Sequence, residues 1–189
     1  MMDENTQWRA QTYALIASLL ASAPDQELLR NIAEIEVNEP DSPMGKLWLQ
    51  LIDAAKHSEI TALEDEYQSL FIGVTHGELI PYGSYYQTGF LMEEPLAELR
   101  TDLVKLGLER QEDTAEPEDH IAAQCDAMRL ILSAQGTPVI SDHEFFSKHL
   151  KPWIEQFFHD LSVTKEVSFY QAVGKFCLGF SKLEKMVYL

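Results

Sequence analysis

Apolar residues recur every three or four positions along most of this chain, the spacing of helices with one buried face. Trp8, Tyr13, Leu15, Ile16, Leu19 and Leu20 make one such stripe, closing before Pro24. Asp25 suits the cap of a second helix, with Leu28, Leu29, Ile32 and Ile35, stopped by Pro40. Ser42 followed by Pro43 opens a third, with Leu47, Trp48, Leu51 and Ile52. A fourth starts near Glu59 and runs through Leu63, Tyr67, Leu70 and Phe71.

Residues 72–89 break the pattern. Four glycines and a proline there predict no regular helix, and the alternation is too poor for a strand. A fifth helix has Pro95 in its first turn and carries Leu96, Leu99, Leu103 and Leu106, with Gly107 as its C-cap. Residues 108–116 read as a charged linker. Pro117 is expected to start a sixth helix bearing Ile121, Ala122, Cys125, Met128, Leu130, Ile131 and Leu132, ending near Gly136. Ser141 and Glu144 form a capping box for a seventh, with Phe145, Phe146 and Leu150. Pro152 permits a kink before Trp153, Phe157, Phe158 and Leu161. The last helix spans Ser168–Val187, with Phe169, Tyr170, Val173, Phe176, Cys177, Phe180 and Met186 as its core stripe. The fold class is therefore all-α: one bundle domain of about eight helices with two irregular segments, and a hinge at 108–116.

Composition supports that frame. The chain has 189 residues, 46% of them hydrophobic, and at this length folding buries roughly 70% of the unfolded surface. No run of 18 apolar residues suggests a membrane span, and the acidic N-terminus has no secretory pattern. Cys125 and Cys177 are far apart and set among apolar residues, as expected of core thiols in a reduced, cytoplasmic protein.

Charge narrows the partners. The net charge is −17, which disfavours phosphate backbones and anionic membrane surfaces. Residues 1–142 hold 26 acidic and 8 basic side chains, whereas 143–189 hold 5 and 6. The densest stretch is 93–119. Its acids either serve solubility or form a surface for a cationic peptide.

The two irregular segments carry the candidate chemistry, since loops on a rigid scaffold often carry sites. In the first, Pro81, Tyr82, Gly83, Ser84, Tyr85 and Tyr86 follow Leu70, Phe71 and Gly73. Tyrosine rings cover apolar peptide surface while their hydroxyls stay hydrogen-bonded, but they also plug bundle ends. In the second, Glu116-Pro117-Glu118-Asp119-His120, proline and acids serve as helix punctuation and His120 as a tether. An enzyme reading instead makes Glu116, Asp119 and His120 metal ligands or acid–base groups of a hydrolase, with Glu116 and His120 on one helix face. The motifs HExxH, GxSxG and GxxxxGK[ST] are absent.

Taken together, EYQSLFIG (66–73), PYGSYY (81–86), GL (107–108) and EPEDHI (116–121) resemble the TorD/DmsD/NarJ family of redox-enzyme maturation chaperones. The resemblance follows helix order over about residues 8–180. It implies an all-α fold, no catalysis, no cofactor, and binding of the twin-arginine signal peptide and the body of an exported molybdopterin-containing oxidoreductase. Export is then held back until the cofactor is inserted. By the same resemblance Leu70, Phe71, Gly73, Pro81, Tyr82, Gly83, Ser84, Asp119 and His120 contact the signal, and Tyr82 stands where several members carry tryptophan. On physical grounds Tyr85 and Tyr86 join Phe71 and Tyr82 in covering the signal's apolar stretch, with Glu116 and Asp119 in an acidic rim. Within that family PYGSYY, TGF and EDHI look more like the group associated with formate dehydrogenases than like those serving nitrate reductase, so the resemblance implies a formate dehydrogenase, or otherwise a DMSO-reductase-family enzyme, as client. A swapped homodimer fits the hinge. An adaptor for a folded protein surface is the remaining alternative.

Overall fold

The structure is a computed structural model, and it describes residues 3–73, 77–110, 115–165 and 168–188. Among them are ten α-helices and two π-helical turns, with no strand. The helices divide into two compact units, one formed by Met1–Ala21 and Pro81–Ile154, the other by Ser22–Ile80 and Glu155–Leu189. No described helix is long and apolar enough to cross a membrane.

In the first unit, α1 (Glu4–Ala21) packs along α7 (Ile121–Ser133), and α5 (Gly83–Thr88) packs on α6 (Glu94–Lys105). Helix α8 (Asp142–Phe145) and the π-turn Phe146–Leu150 close against α7. Tyr13, Ile16, Leu19, Ile121, Cys125 and Met128 are buried, as their spacing predicts. Arg9 is buried too, and its guanidinium meets Asp142 at 3.0 Å.

In the second unit, α3 (Pro43–His57) lies against both α2 (Gln26–Ala33) and α10 (Ser168–Val187). Helix α4 (Ile60–Tyr67) touches α10 and runs on into the π-turn Gln68–Ile72, and α9 (Ile154–Val163) precedes α10. Phe169, Tyr170, Val173, Phe176, Cys177 and Phe180 are buried along α10, whereas Met186, expected in the same stripe, is 59% exposed near the helix end.

The local start signals behave as chemistry requires. Asp25, Ser42 and Ser141 each cap their helix by accepting the backbone N–H three residues on. Three boundaries differ from expectation. The glycine-rich 72–89 segment does contain a helix, α5, ended by Gly89 in the left-handed region (φ 84°). The sixth expected helix begins at Ile121 rather than Pro117, since Pro117–Asp119 form a turn and His120 is extended. The seventh breaks before Pro152, where α8 passes into the π-turn and a short turn at 151–153. The hinge expected at 108–116 includes 111–114, which lie outside the described residues; its described ends both belong to the first unit.

Candidate functional site

Two segments separated by more than thirty residues meet in the first unit. Tyr82 and His120 form an isolated antiparallel bridge. The Ile121 N–H donates to the Pro81 carbonyl and the Gly83 N–H to the Asp119 carbonyl, both at 2.9 Å. This pairing holds His120 extended, which explains why α7 cannot begin at Pro117. The His120 imidazole then caps α7, its Nδ1 accepting the Ala122 N–H at 3.1 Å.

The same contact builds α5. Asp119 is 2% exposed, and its Oδ2 accepts the Ser84 N–H at 2.8 Å. A carboxylate from another segment thus satisfies a donor that the local sequence leaves open. Ser84 is fully buried and its Oγ accepts the Met92 N–H at 3.2 Å, tying down the far end of the loop. Gly83 is required by space: a Cβ there would lie 2.9 Å from Gln124 Nε2 and 3.1 Å from Trp153 Nε1. Gln124 in turn donates to the Asp119 carbonyl at 3.0 Å.

Aromatic and charged groups surround this junction. The Tyr82 ring stands edge-on to His120 with centroids 5.2 Å apart, and its hydroxyl donates to the Glu116 carboxylate. Burial is the largest influence on His120 and pushes the imidazole below its ordinary value, against the pull of Glu116 and Asp119. Burial raises the Glu118 carboxyl, yet the Arg100 guanidinium at 2.8 Å more than offsets this and holds it below the usual range. Tyr86 packs on Trp153 at 5.7 Å, while Tyr85 is 36% exposed.

Of the residues expected to form a site, Pro81, Tyr82, Gly83, Ser84, Tyr85, Tyr86, Glu116, Asp119 and His120 are thus gathered in one unit. Leu70, Phe71 and Gly73 belong to the other. There Leu70 is buried, Phe71 packs against Tyr67 (5.0 Å) and Tyr170 (5.5 Å), and Gly73 ends the π-turn at φ 60°. The chain then folds back, with the Leu79 N–H donating to the Leu70 carbonyl at 2.8 Å.

Two expectations about the second motif need correction. Asp119 is not part of an exposed rim, because it is 2% exposed and its Oδ2 accepts the Ser84 N–H. Glu116 and His120 do not share a helix face, because neither lies within a helix. Among the described residues no group of three or more His, Cys, Asp or Glu side chains is placed to hold a metal ion.

Sequence reasoning missed two features. A cavity of about 280 Å³ lies between α5, α6, α7 and the π-turn Phe146–Leu150, with Asp119, Gln124, Glu94, Glu98, Lys148 and His149 on its wall. A wider groove of about 640 Å³ runs between α1, α6 and α7, with Ala17, Ala21, Ala123, Leu103 and Leu130 on its floor. Alanines on facing helices allow that groove to form, and they carried no signal in the pattern.

A family model described as nitrate reductase delta subunit matches residues 37–159, a range that includes both irregular segments. The chain belongs to that family. Within the nitrate reductase delta subunit family it resembles chaperone proteins TorD from Vibrio atlanticus (27% identical) and Vibrio parahaemolyticus (22% identical), in each case over 93% of this chain and 92% of the relative. Its fold matches the crystal structure of a protein described as a redox enzyme maturation protein from Archaeoglobus fulgidus. The TM-score is 0.65 at 20% identity, covering 92% of this chain and 93% of the other. These relatives are named as chaperones and as a maturation protein rather than as enzymes.

Proposed function

We propose that this protein is a cytoplasmic chaperone that binds the twin-arginine signal peptide of a molybdopterin-containing oxidoreductase. Bound, it holds back export until the enzyme has folded around its cofactor. The observation that carries the reading is the Tyr82–His120 pairing, which joins an aromatic loop to an acidic turn in one unit. Such a signal has a basic stretch followed by an apolar one. Tyr82 and the exposed Tyr85 offer ring surface to the apolar part, and Glu116, Glu118 and neighbouring acids attract the basic part. Charge speeds encounter and fixes orientation, while ring contacts supply more of the affinity. Ordering a flexible peptide offsets part of that gain.

Calorimetry with a synthetic twin-arginine leader tests the reading. Binding is expected in the micromolar range, about −8 kcal/mol, weakening as salt is raised. No heat with the leader of any molybdoenzyme encoded beside this protein overturns it. Retention of the client after its leader is removed points to an adaptor for a folded surface instead.

A further inference from the structure

Phe90, Leu91 and Met92 follow one another on the loop between α5 and α6, and they are 69%, 49% and 72% exposed. A single exposed apolar residue is ordinary on a protein surface, whereas three in a row form a patch that water disfavours. The other large apolar side chains exposed among the described residues stand singly in the sequence, or as the pair Met186–Val187 near the end of α10.

The loop is held in one shape. Gly89 ends α5 in the left-handed region, its N–H donating to the Tyr85 carbonyl at 2.8 Å. Thr88 Oγ1 accepts the Phe90 N–H at 3.2 Å and donates to the Ser84 carbonyl at 2.8 Å. The Met92 N–H reaches the Oγ of fully buried Ser84, also at 3.2 Å. Met92 sits at φ 61°, the one non-glycine residue with a positive φ among the described residues. Such a backbone is uncommon for methionine and persists only where surrounding bonds impose it. Folding therefore works against both water and backbone preference to present these three side chains.

Charge and shape limit what the loop can meet. From Tyr82 to Leu99 the chain holds Glu93, Glu94 and Glu98 and no lysine or arginine. Glu93 and Glu94 directly follow the loop and are exposed. They and the net charge of −17 oppose an anionic membrane surface. A second copy meeting loop to loop would set the same carboxylates against each other. A flexible peptide is a poor match as well: side chains this exposed project from the surface, and a projecting anchor gains most by filling a pocket, which an unfolded segment does not possess. Phe and Met are also favoured at the cores of protein interfaces.

We propose that the Phe90–Met92 loop is an anchor for a folded protein, inserting into an apolar pocket whose edge carries lysine or arginine opposite Glu93 and Glu94. The partner's identity rests on the signal-binding function above: it is the leaderless body of the client oxidoreductase, held by a contact separate from that of its leader.

The probe is the molybdoenzyme encoded beside this protein, prepared without its leader. Its affinity for the full-length chain is measured by biolayer interferometry, and the synthetic leader is titrated in parallel by calorimetry. The test variant combines Phe90→Ser with Met92→Asn. Both positions are exposed and asparagine tolerates a positive φ, so its thermal midpoint is expected to hold or rise. Affinity for the leaderless body is expected to fall at least tenfold, within the range of an aromatic interface anchor, with leader affinity within about twofold of wild type. Should the double variant not fold, Phe90→Ser alone carries the test. Val104→Ser removes a side chain 70% exposed on α6 and is expected to leave both affinities unchanged. Glu93→Gln with Glu94→Gln is expected to slow association with the body and flatten its salt dependence.

No binding of the body by wild type, or equal binding by the variant, overturns the anchor and leaves signal binding standing. An equal loss in Val104→Ser overturns it too, as general stickiness. Loss of leader affinity alongside body affinity assigns the loop to the leader's surface and overturns a separate contact. A wild-type dimer in light scattering that the variant abolishes makes a second copy the occupant. Body binding through the loop with no leader binding keeps the anchor and discards the signal-binding function.

Discussion

His149 Nε2 lies 2.9 Å from Asp102 Oδ2, and the same carboxylate accepts from Lys105 and Lys148, each at 2.7 Å. Asp102 is 5% exposed although it sits in the most acidic stretch of the chain. Burial raises its carboxyl, but three donors together hold it well below the usual range. Burial is the largest influence on His149 and pushes the imidazole below its ordinary 6.5, against the attraction of Asp102.

A group whose folded value is depressed contributes stability that is complete above its unfolded value and drains as pH falls below it. For His149 that decline starts near pH 6.5, and His120 has the same sign. Acidification also relieves repulsion within a chain of net charge −17, which works the other way. The local effect is therefore read as a difference. Urea midpoints are expected to fall more steeply from pH 7 to pH 5 in wild type than in His149→Gln; parallel profiles count against the assignment.

Removing the carboxylate itself has a larger consequence. Asp102→Ala strips the buried His149 N–H of its acceptor, at an expected cost of about 1–3 kcal/mol, the penalty of an unsatisfied buried donor, while the two lysines it releases are 54% and 42% exposed and stay solvated. Lys105→Ala is expected to cost under about 1 kcal/mol, because that amine is 54% exposed and its pair is the solvent-screened edge of the cluster. Equal losses in the two variants argue against a buried centre at Asp102.

These residues also show what a sequence makes legible. Asp25, Ser42 and Ser141 were readable as caps because donor and acceptor lie three residues apart. Helix α5 was not, because its first free N–H groups are satisfied by Asp119, 35 residues away from Ser84. The motifs PYGSYY and EPEDHI were legible as sites by their composition, but nothing local announces that Tyr82 and His120 pair. Asp102 and Arg9 were invisible as core groups, since a charged side chain reads as solvated until its partner is placed opposite. Gln124 gave no signal at all: its role depends on which turn of α7 faces Gly83.

Gly83 tests the packing of that junction. A methyl group there meets Gln124 and Trp153 at 2.9–3.2 Å, neither of which can withdraw without losing a bond: Gln124 holds the Asp119 carbonyl and Trp153 Nε1 donates to His149 at 2.8 Å. Gly83→Ala is expected to destabilise by about 1–3 kcal/mol, the usual penalty for overpacking. Thermal melting measures it, and an unchanged midpoint shows that the contact relaxes freely.

The adjacent tyrosines separate structure from recognition. Tyr86 is half-buried against Trp153, so Tyr86→Ala loses ring packing and is expected to cost about 2–3 kcal/mol of stability. Tyr85 is 36% exposed and meets Tyr86 edge-on with centroids 6.0 Å apart. Its truncation is expected to change stability by about 1 kcal/mol or less. If the exposed ring receives the apolar part of a leader, Tyr85→Ala weakens leader binding about tenfold or more, within the range of an aromatic contact at an interface. Melting and calorimetry on the two variants give the comparison. Stability lost at 86 with binding lost at 85 supports the assignment, because a purely structural aromatic plug predicts that both variants destabilise and that neither discriminates a leader. Binding unaffected in a stable Tyr85→Ala protein removes that ring from the recognition surface.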